Sequence, residues 1–424
     1  MRGFHDAAFR LQDAMGNVDW RFLQVVGVGA NGELAQGCGD LAAAAEVLAG
    51  GRALLNRFAL PGARTVLLGR GVGKAMDELE RALDQGRRVA VLADGDPLHF
   101  GVGKVLVRRF GSDRLRIHPA LSSMQLAAAR LGIAMENMDL VSLHGRKNFN
   151  PLYAAAMRGR TIMALTDASN NPAALAEALR RRGAPPFKAL ALERLGREDE
   201  RVRVLDIDAP AQNFAEPNLA VFEPLGRPEF PARLGLPDEC FAREKNLITK
   251  GPVRAVGLAR LGICAEDTVW DLGAGSGAVS VEAASFLPAG GVWAVEADEH
   301  RAGLIRENRR RTGACLIKVV QGRAPACLED LPDPDRVFIG GGLSRNEGVL
   351  ETAWSRLKQG GRLVAHLTLL GSLERVRRFF LDRGAPHELD MIQASRSAEL
   401  AEDVHLSALN PIFILSASKP EAQP

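Results

Sequence analysis

The stretch 270-WDLGAGSGAVSVEAA-284 decides how the chain is read. Apolar residues lead to an acid, Asp271, and then glycines alternate at Gly273, Gly275 and Gly277 before an apolar, helix-like run. This is a strand, a tight turn and a helix in sequence, the local design of a ligand-binding crossover. A dinucleotide fingerprint spaces its glycines as G-x-G-x-x-G and keeps the helix-end amides free for pyrophosphate. Here the third glycine comes one residue early and an acid stands two residues before the first. That combination suits a ligand without phosphate.

S-adenosylmethionine is such a ligand, with a sulfonium, an amino acid tail and adenosine. Asp271 would meet its ammonium group directly or through water. A second acid belongs at the end of the next strand for the ribose hydroxyls, and Glu296 within 291-GVWAVEAD-298 stands there. The segment 321-QGRAP-325 follows another strand where a turn against adenine should fall. Together these motifs resemble the class I S-adenosylmethionine-dependent methyltransferases over most of residues 245–370. The resemblance implies donor contacts at Thr249, Gly273, Ala274, Gly275, Ser276, Gly277, Glu296 and Ala324, beside Asp271. A tight turn without ligand and an NAD-dependent dehydrogenase are the competing readings. The dehydrogenase lacks the glycine spacing and any hydride-transfer site.

Outward from the turn, strand-like and helix-like runs alternate from 268-TVWDLG-273 to 361-GRLVAHLT-368, as a parallel α/β sheet requires. Upstream, 217-PNLAVFEPLGRPEFPARLGLPDE-239 holds five prolines and little periodicity, and reads as a connection. A separate alternating series precedes it: 22-FLQVVGV-28, 40-DLAAAAEVLAGG-51 as a helix, 87-RRVAVLA-93, 121-LSSMQLAAARLG-132, 161-TIMALTD-167 and 172-PAALAEALRRRG-183. The expected organisation is an arm at 1–20, a module at 21–225 with lobes of about 21–124 and 125–225, a linker at 226–238, and a module at 239–424.

The first module opens on 27-GVGANG-32 and adds 94-DGDPLHFG-101, 120-ALSSMQLAAARLG-132 and 165-LTDASNNP-172. This set resembles the class III tetrapyrrole methyltransferases, in which two α/β lobes clamp a folded S-adenosylmethionine. The family's opening motif carries proline before its final glycine, where this chain has Asn31. The resemblance implies donor contacts at Gly29, Gly95, Asp96, Pro97, Ser122, Ser123 and Thr166. By their chemistry alone, Gly95-Asp96-Pro97 fix an exposed strand-end bend, and Ser122 and Ser123 serve equally as helix caps. His99 is a loop histidine. In 142-SLHGR-146 and the following Lys147, His144, Arg146 and Lys147 suit either a substrate's carboxylates or a solvated loop.

A class III module followed by a class I module is the order found in the bifunctional corrin-precursor methyltransferases of cobalamin biosynthesis. The likeness runs from about residue 21 to the end. Its local marks are 248-ITKGPVRAVGLARLG-262, with Ile248 for the family's methionine, then DLGAGSG, QGRAP and 336-RVFIGGG-342. It implies S-adenosylmethionine at two sites, methylation at carbons 5 and 15, and decarboxylation of the ring C acetate. The alternatives are a cobalt-bearing precursor, or another small molecule or RNA as acceptor. A substrate rich in carboxylates calls for bidentate or point cations, and Arg146, Lys147, Lys250 and Arg254 are the candidates, Lys250 and Arg254 otherwise lying on a helix face. The macrocycle is itself the nucleophile, so no catalytic triad or metal is demanded and no catalytic residue is assigned.

Composition narrows the partners. A net charge of +3 with 5% aromatic residues does not describe an RNA-binding surface. Five scattered cysteines without a C-x-x-C pair fit a reducing cytoplasm better than a disulfide framework. No apolar run is long enough to cross a bilayer, and the first twenty residues lack a signal peptide's apolar centre. The expectation is a cytoplasmic enzyme, associated with neither membrane nor nucleic acid, assembling as a homo-oligomer as both module families tend to do.

Overall fold

The structure is a computed structural model that describes residues 18–69, 71–209, 212–341, 343, 347–400 and 403–421. The expected arm therefore lies outside the described residues up to position 17, as does Gly342 of the 336–342 motif. Two compact units emerge. The first runs to Met138 and takes in Ala191–Arg203 and Asn213–Leu219; the second holds Asp139–Leu190, Val204–Gln212 and the chain from Ala220.

The first unit is built on β1 (Leu23–Val28), β2 (Val47–Gly50), β3 (Arg64–Leu67), β4 (Val89–Asp94) and β5 (Leu115–His118), in the order β3-β2-β4-β1-β5. The pairs are all parallel. The strands read as unbroken apolar runs because both sheet faces are covered: Val25, Val91 and Leu79 lie in one core, and Val26, Leu48 and Leu92 in the other. The expected helix 40–51 ends at Ala44, and Val47–Gly50 is a fully buried strand. Alanine favours helix, but burial between β3 and β4 overrides that weak local preference.

A second sheet orders β6 (Met138–Ser142), β7 (Thr161–Leu165), β8 (Phe187–Glu193), β9 (Arg201–Val204) and β10 (Asn218–Pro224) as β6-β7-β10-β8-β9. β10 occupies the start of the proline-rich stretch, so the break in regular structure begins only after Pro224. Residues 226–238 are bonded onto the chain downstream of them. Phe230 and Ala232 donate their N–H groups to the carbonyls of Arg311 and Thr312, and Leu236 donates to buried Glu282.

The largest sheet comprises β11 (Thr268–Leu272), β12 (Gly291–Glu296), β13 (Ile317–Gln321), β14 (Arg336–Ile339), β15 (Arg362–Leu367), β16 (His387–Ile392) and β19 (Ile412–Ser418). β17 (Ser395–Leu400) and β18 (Asp403–Ala408) form a separate hairpin. The order is β13-β12-β11-β14-β15-β19-β16, parallel except for β19. Successive crossovers run one way from β11 to β13 and the other way from β14, so β11 and β14 flank the switch point. Ligands bind outside the strand ends at such a point.

Candidate functional site

At the switch point the turn after β11 is held by backbone bonds. Gly273 and Ala274 donate to the Val295 carbonyl, and Gly277 donates to Ala274. Gly273, Gly275 and Gly277 all have φ between +58 and +78, the left-handed region that favours glycine. The reasons for glycine differ along the turn. A Cβ at Gly277 would stand 2.9 Å from Ile305, whereas one at Gly275 would meet nothing within 4 Å. Gly275 therefore presents bare backbone to open space.

That space is a cavity of about 740 Å³. Its walls are the glycine turn, the segment Asn246–Lys250, the ends of β14 and β15, and residues before β19. Thr249, Lys250, Gly273, Ala274, Gly275 and Ser276 all line it. Asp271, Gly277, Glu296 and Ala324 are not among its walls. Glu296, at the end of β12, accepts from the Gly275 N–H at 2.9 Å and from the Asp298 N–H at 3.0 Å, and pairs with Arg301 at 3.2 Å. Ala324 lies in the turn after β13, against the core of this sheet.

Asp271 is fully enclosed. Its Oδ2 accepts from the Ser280 hydroxyl at 2.5 Å, and its Oδ1 has no partner among the described residues. Burial pushes its carboxyl up to about 6, against the opposing pull of the Ser280 hydrogen bond. A buried acceptor left open beside a bare glycine turn fits a donor bearing an ammonium group.

Arg254 corrects one expectation. It does not reach substrate: its side chain is completely buried, pairs with Glu282 at 2.8 Å and Asp238 at 3.1 Å, and donates to the Leu236 and Thr249 carbonyls. The cation is needed inside because two buried carboxylates surround it. Its effect on the site is indirect, since it fixes the backbone that brings Thr249 and Lys250 to the cavity.

Sequence reasoning missed His366 and Thr368 at the end of β15, and Asn246 and Asn410, all on the cavity wall. Polar residues ending the strand 361-GRLVAHLT-368 were the available signal, because strand ends near a switch point bind ligands.

In the first unit, three strand ends are stitched together. Gly95 donates to Val28, Ala120 donates to Gly95, and Ala30 donates to Leu121. A Cβ at Gly27 would stand 2.3 Å from the Gly95 carbonyl oxygen, so only glycine permits the approach. Gly29 donates to the Glu33 carbonyl, and Asn31 closes the turn with its own side chain, accepting from the Glu33 N–H at 3.1 Å. An Asx turn thus supplies the rigidity that proline supplies elsewhere. Asp96 accepts from the Leu98 N–H, and the Pro97 carbonyl accepts from Gly103. Ser122 forms a capping box with Gln125, and Ser123 begins the helix Ser123–Leu131.

In the second unit, Thr166 directly follows β7 and its carbonyl lies 2.9 Å from His144 Nδ1. Asp167 is held well below the usual carboxylate range by the backbone N–H of Asn170 and, less strongly, those of Gly145 and Ser169. Arg146 and Lys147 are exposed on the adjacent loop and do not line the large cavity.

A reversed strand beside a parallel sheet, with a glycine turn and acid at its switch point, defines a methyltransferase fold, and it follows a second module of a different methyltransferase family. The family models agree: residues 25–211 match the Tetrapyrrole (Corrin/Porphyrin) Methylases and residues 239–419 the Precorrin methyltransferase domain. A precorrin-6Y C(5,15)-methyltransferase (decarboxylating) from Sinorhizobium sp is 36% identical over 81% of this chain and 84% of its own length. A probable cobalt-precorrin-6B C(15)-methyltransferase (decarboxylating) from Pyrobaculum calidifontis is 34% identical over 43% of this chain and 95% of its own. Among solved structures, precorrin-6Y C5,15-methyltransferase from Geobacter metallireducens is 37% identical, covering 45% of this chain and all of its own at a TM-score of 0.43. The chain belongs to the precorrin-6Y C5,15-methyltransferase (decarboxylating) family, and is an enzyme that transfers methyl groups.

Proposed function

We propose that this chain methylates a metal-free corrin precursor at carbons 5 and 15 and removes the ring C acetate carboxyl as carbon dioxide, converting precorrin-6B (precorrin-6Y) to precorrin-8X, with one S-adenosylmethionine site in each module. The observation that carries this reading is the cavity at the β11 turn, where the bare Gly275 backbone faces a space large enough for an acceptor as well and the buried Asp271 lies beneath the turn. S-adenosylmethionine supplies an electrophilic methyl group when bound. The chain's part is to hold and orient: Gly273, Ala274, Gly275 and Ser276 present backbone, Glu296 offers a carboxylate to ribose hydroxyls, and Asp271 sits beneath the turn. Thr249 and Lys250 face the acceptor, Lys250 as a point charge for a carboxylate. In the first module Gly29, Gly95, Asp96, Pro97, Ser122 and Ser123 gather at strand ends in the first unit, and the reading assigns Thr166 to the same donor. Arg146 and Lys147 are its acceptor-side cations. Displacement at a sulfonium is governed by alignment and exclusion of water, which a walled cavity supplies.

The same reading has a tetrapyrrole as the sole partner, no nucleic acid, a homo-oligomeric state and a cytoplasmic location. Among the described residues no helix is long and apolar enough to cross a membrane. Cobalt-bearing precursors are the second candidate, because the Pyrobaculum relative is named for one. Incubating the full chain with metal-free and cobalt-bearing precursors and weighing the products tests both. The metal-free precursor should gain a methyl at both carbons and lose carbon dioxide. Conversion of the cobalt-bearing precursor alone would favour the second candidate, and conversion of neither would remove the corrin reading.

A further inference from the structure

His366 stands at the end of β15, two strands from β11 and on the side away from Glu296. With neighbouring strands about 4.8 Å apart, this places its strand about 10 Å across the sheet from the glycine turn. If Glu296 holds the donor's ribose, the half of the cavity formed by Thr249, Lys250, His366, Thr368 and Asn410 is left for the acceptor.

The imidazole is unlike the other polar groups there. It lies edge-on to Phe338, with ring centroids 4.6 Å apart at 74°. A Cβ at Gly257 would meet its Nε2, so the helix Gly251–Leu261 accommodates the ring only through glycine. Neither ring nitrogen has a hydrogen-bond partner among the described residues, and both are sealed from solvent. Buried polar atoms without partners are rare and call for an explanation, and here they belong to a side chain that lines the cavity. No hydrogen bond fixes the ring's second torsion, which is intrinsically broad, so turning one nitrogen toward the cavity breaks no bond.

Resting on the decarboxylating reading above, we infer that His366 receives the acceptor carboxyl group that leaves as carbon dioxide, donating one N–H to it while remaining uncharged. In this step the bond from the carboxyl carbon to its methylene breaks. The electron pair passes into the conjugated macrocycle, and carbon dioxide departs. The methylene carbon then takes up one proton, which balances the proton released where a ring carbon exchanges hydrogen for methyl. Negative charge leaves the carboxylate as the bond breaks. A lysine or arginine would hold that charge in place and stabilise the ground state more than the transition state. An uncharged donor among apolar walls orients the group without that penalty. Burial keeps His366 neutral at physiological pH, holding its imidazole at about 4.

The test measures carbon dioxide released per methyl added at carbon 15 by the full chain, in wild type, His366→Phe and His366→Gln. Phenylalanine keeps the packing on Phe338 and removes both nitrogens; glutamine keeps an uncharged N–H donor. The ratio should fall roughly tenfold or more in His366→Phe, the order of one lost hydrogen bond at the reacting group, and stay within about threefold of wild type in His366→Gln. Methylated product retaining its carboxyl group should accumulate in the phenylalanine variant. The ratio is set only by molecules that fold and turn over, so partial unfolding does not move it. An unchanged ratio in His366→Phe, or loss of methylation and decarboxylation together in both variants, overturns the assignment alone. No carbon dioxide from the wild type overturns the decarboxylating reading, and this inference with it.

Discussion

Asp271 and His366 are buried ionisable groups displaced in opposite senses, and this gives them opposite effects on stability. Asp271 titrates at about 6 in the folded chain, above its ordinary 3.8. Between those values the folded state keeps a proton that the unfolded chain has lost, so stability falls as pH rises through the window. His366 titrates at about 4 instead of 6.5. There the unfolded chain holds the extra proton, so stability rises with pH from about 4 to 6.5 and is lost on acidification. Each displacement is worth about 3 kcal/mol at most, and the two slopes largely cancel in the wild type. Asp271→Asn should therefore unfold at a higher temperature than wild type at pH 7.5, with the gap closing by about pH 4. Tryptophan fluorescence is a suitable probe, since Trp270, Trp293 and Trp354 all lie in this module. An equal or lower midpoint at pH 7.5 would show that the carboxylate is not a burdened buried charge. Asp271 was legible in the sequence because its partner turn is adjacent in the chain. His366 was not, because its proximity to the turn depends on sheet order rather than on sequence spacing.

Among the elements, the strand–turn–helix at 268–284 is the best specified by sequence alone. Its strand is an apolar run, its turn requires positive φ, and its helix begins where the last glycine ends. The same local logic failed at 40–51, where alanine content resembled a helix but sheet contacts made Val47–Gly50 a strand. It also could not show that Arg254 turns inward, since helical periodicity does not reveal the two acids that meet it. The glycine turn permits a separation of folding from binding. Gly277→Ala places a methyl against Ile305 as well as forcing an unfavourable φ, and should cost about 2–3 kcal/mol of stability. Gly275→Ala carries the backbone strain alone, about 1 kcal/mol, and projects its methyl into the cavity. Calorimetric titration with S-adenosylmethionine should then show Gly275→Ala losing one of two sites while remaining folded. Retention of both sites in Gly275→Ala would show that this turn does not hold the donor, and saturation of the wild type at one would refute the two-site count.

At the scale of the molecule, the second unit joins residues 139–190 to the chain beyond 220, so part of the N-terminal module folds together with the C-terminal one. The contact is chemically specific. Arg182 lies over the Tyr153 ring at 4.5 Å and donates to the carbonyls of Cys315 and Ile317, while Arg309 donates to the Arg181 carbonyl. Burial, and next the neighbouring Arg182, lower the Arg309 guanidinium, so the interface accepts an electrostatic cost to make these bonds. The proline-rich stretch is likewise tied down, with Arg311 pairing Glu229 and lying over Phe230. A flexible tether would let the pieces part when cut; an interface of this kind would not. A protease site inserted at the exposed 224–227 segment should therefore yield two fragments that still co-elute on size exclusion. Adding Arg182→Ala and Arg309→Ala should release them, because each substitution removes a charged hydrogen bond worth about 1.5–3 kcal/mol. Separation of the cleaved wild type would instead show that residues 226–238 are the main connection. Because this docking is independent of the β11 turn, Asp271→Ala should abolish methylation at the C-terminal site while leaving N-terminal methylation, and loss of both would mean that the shared unit transmits the defect.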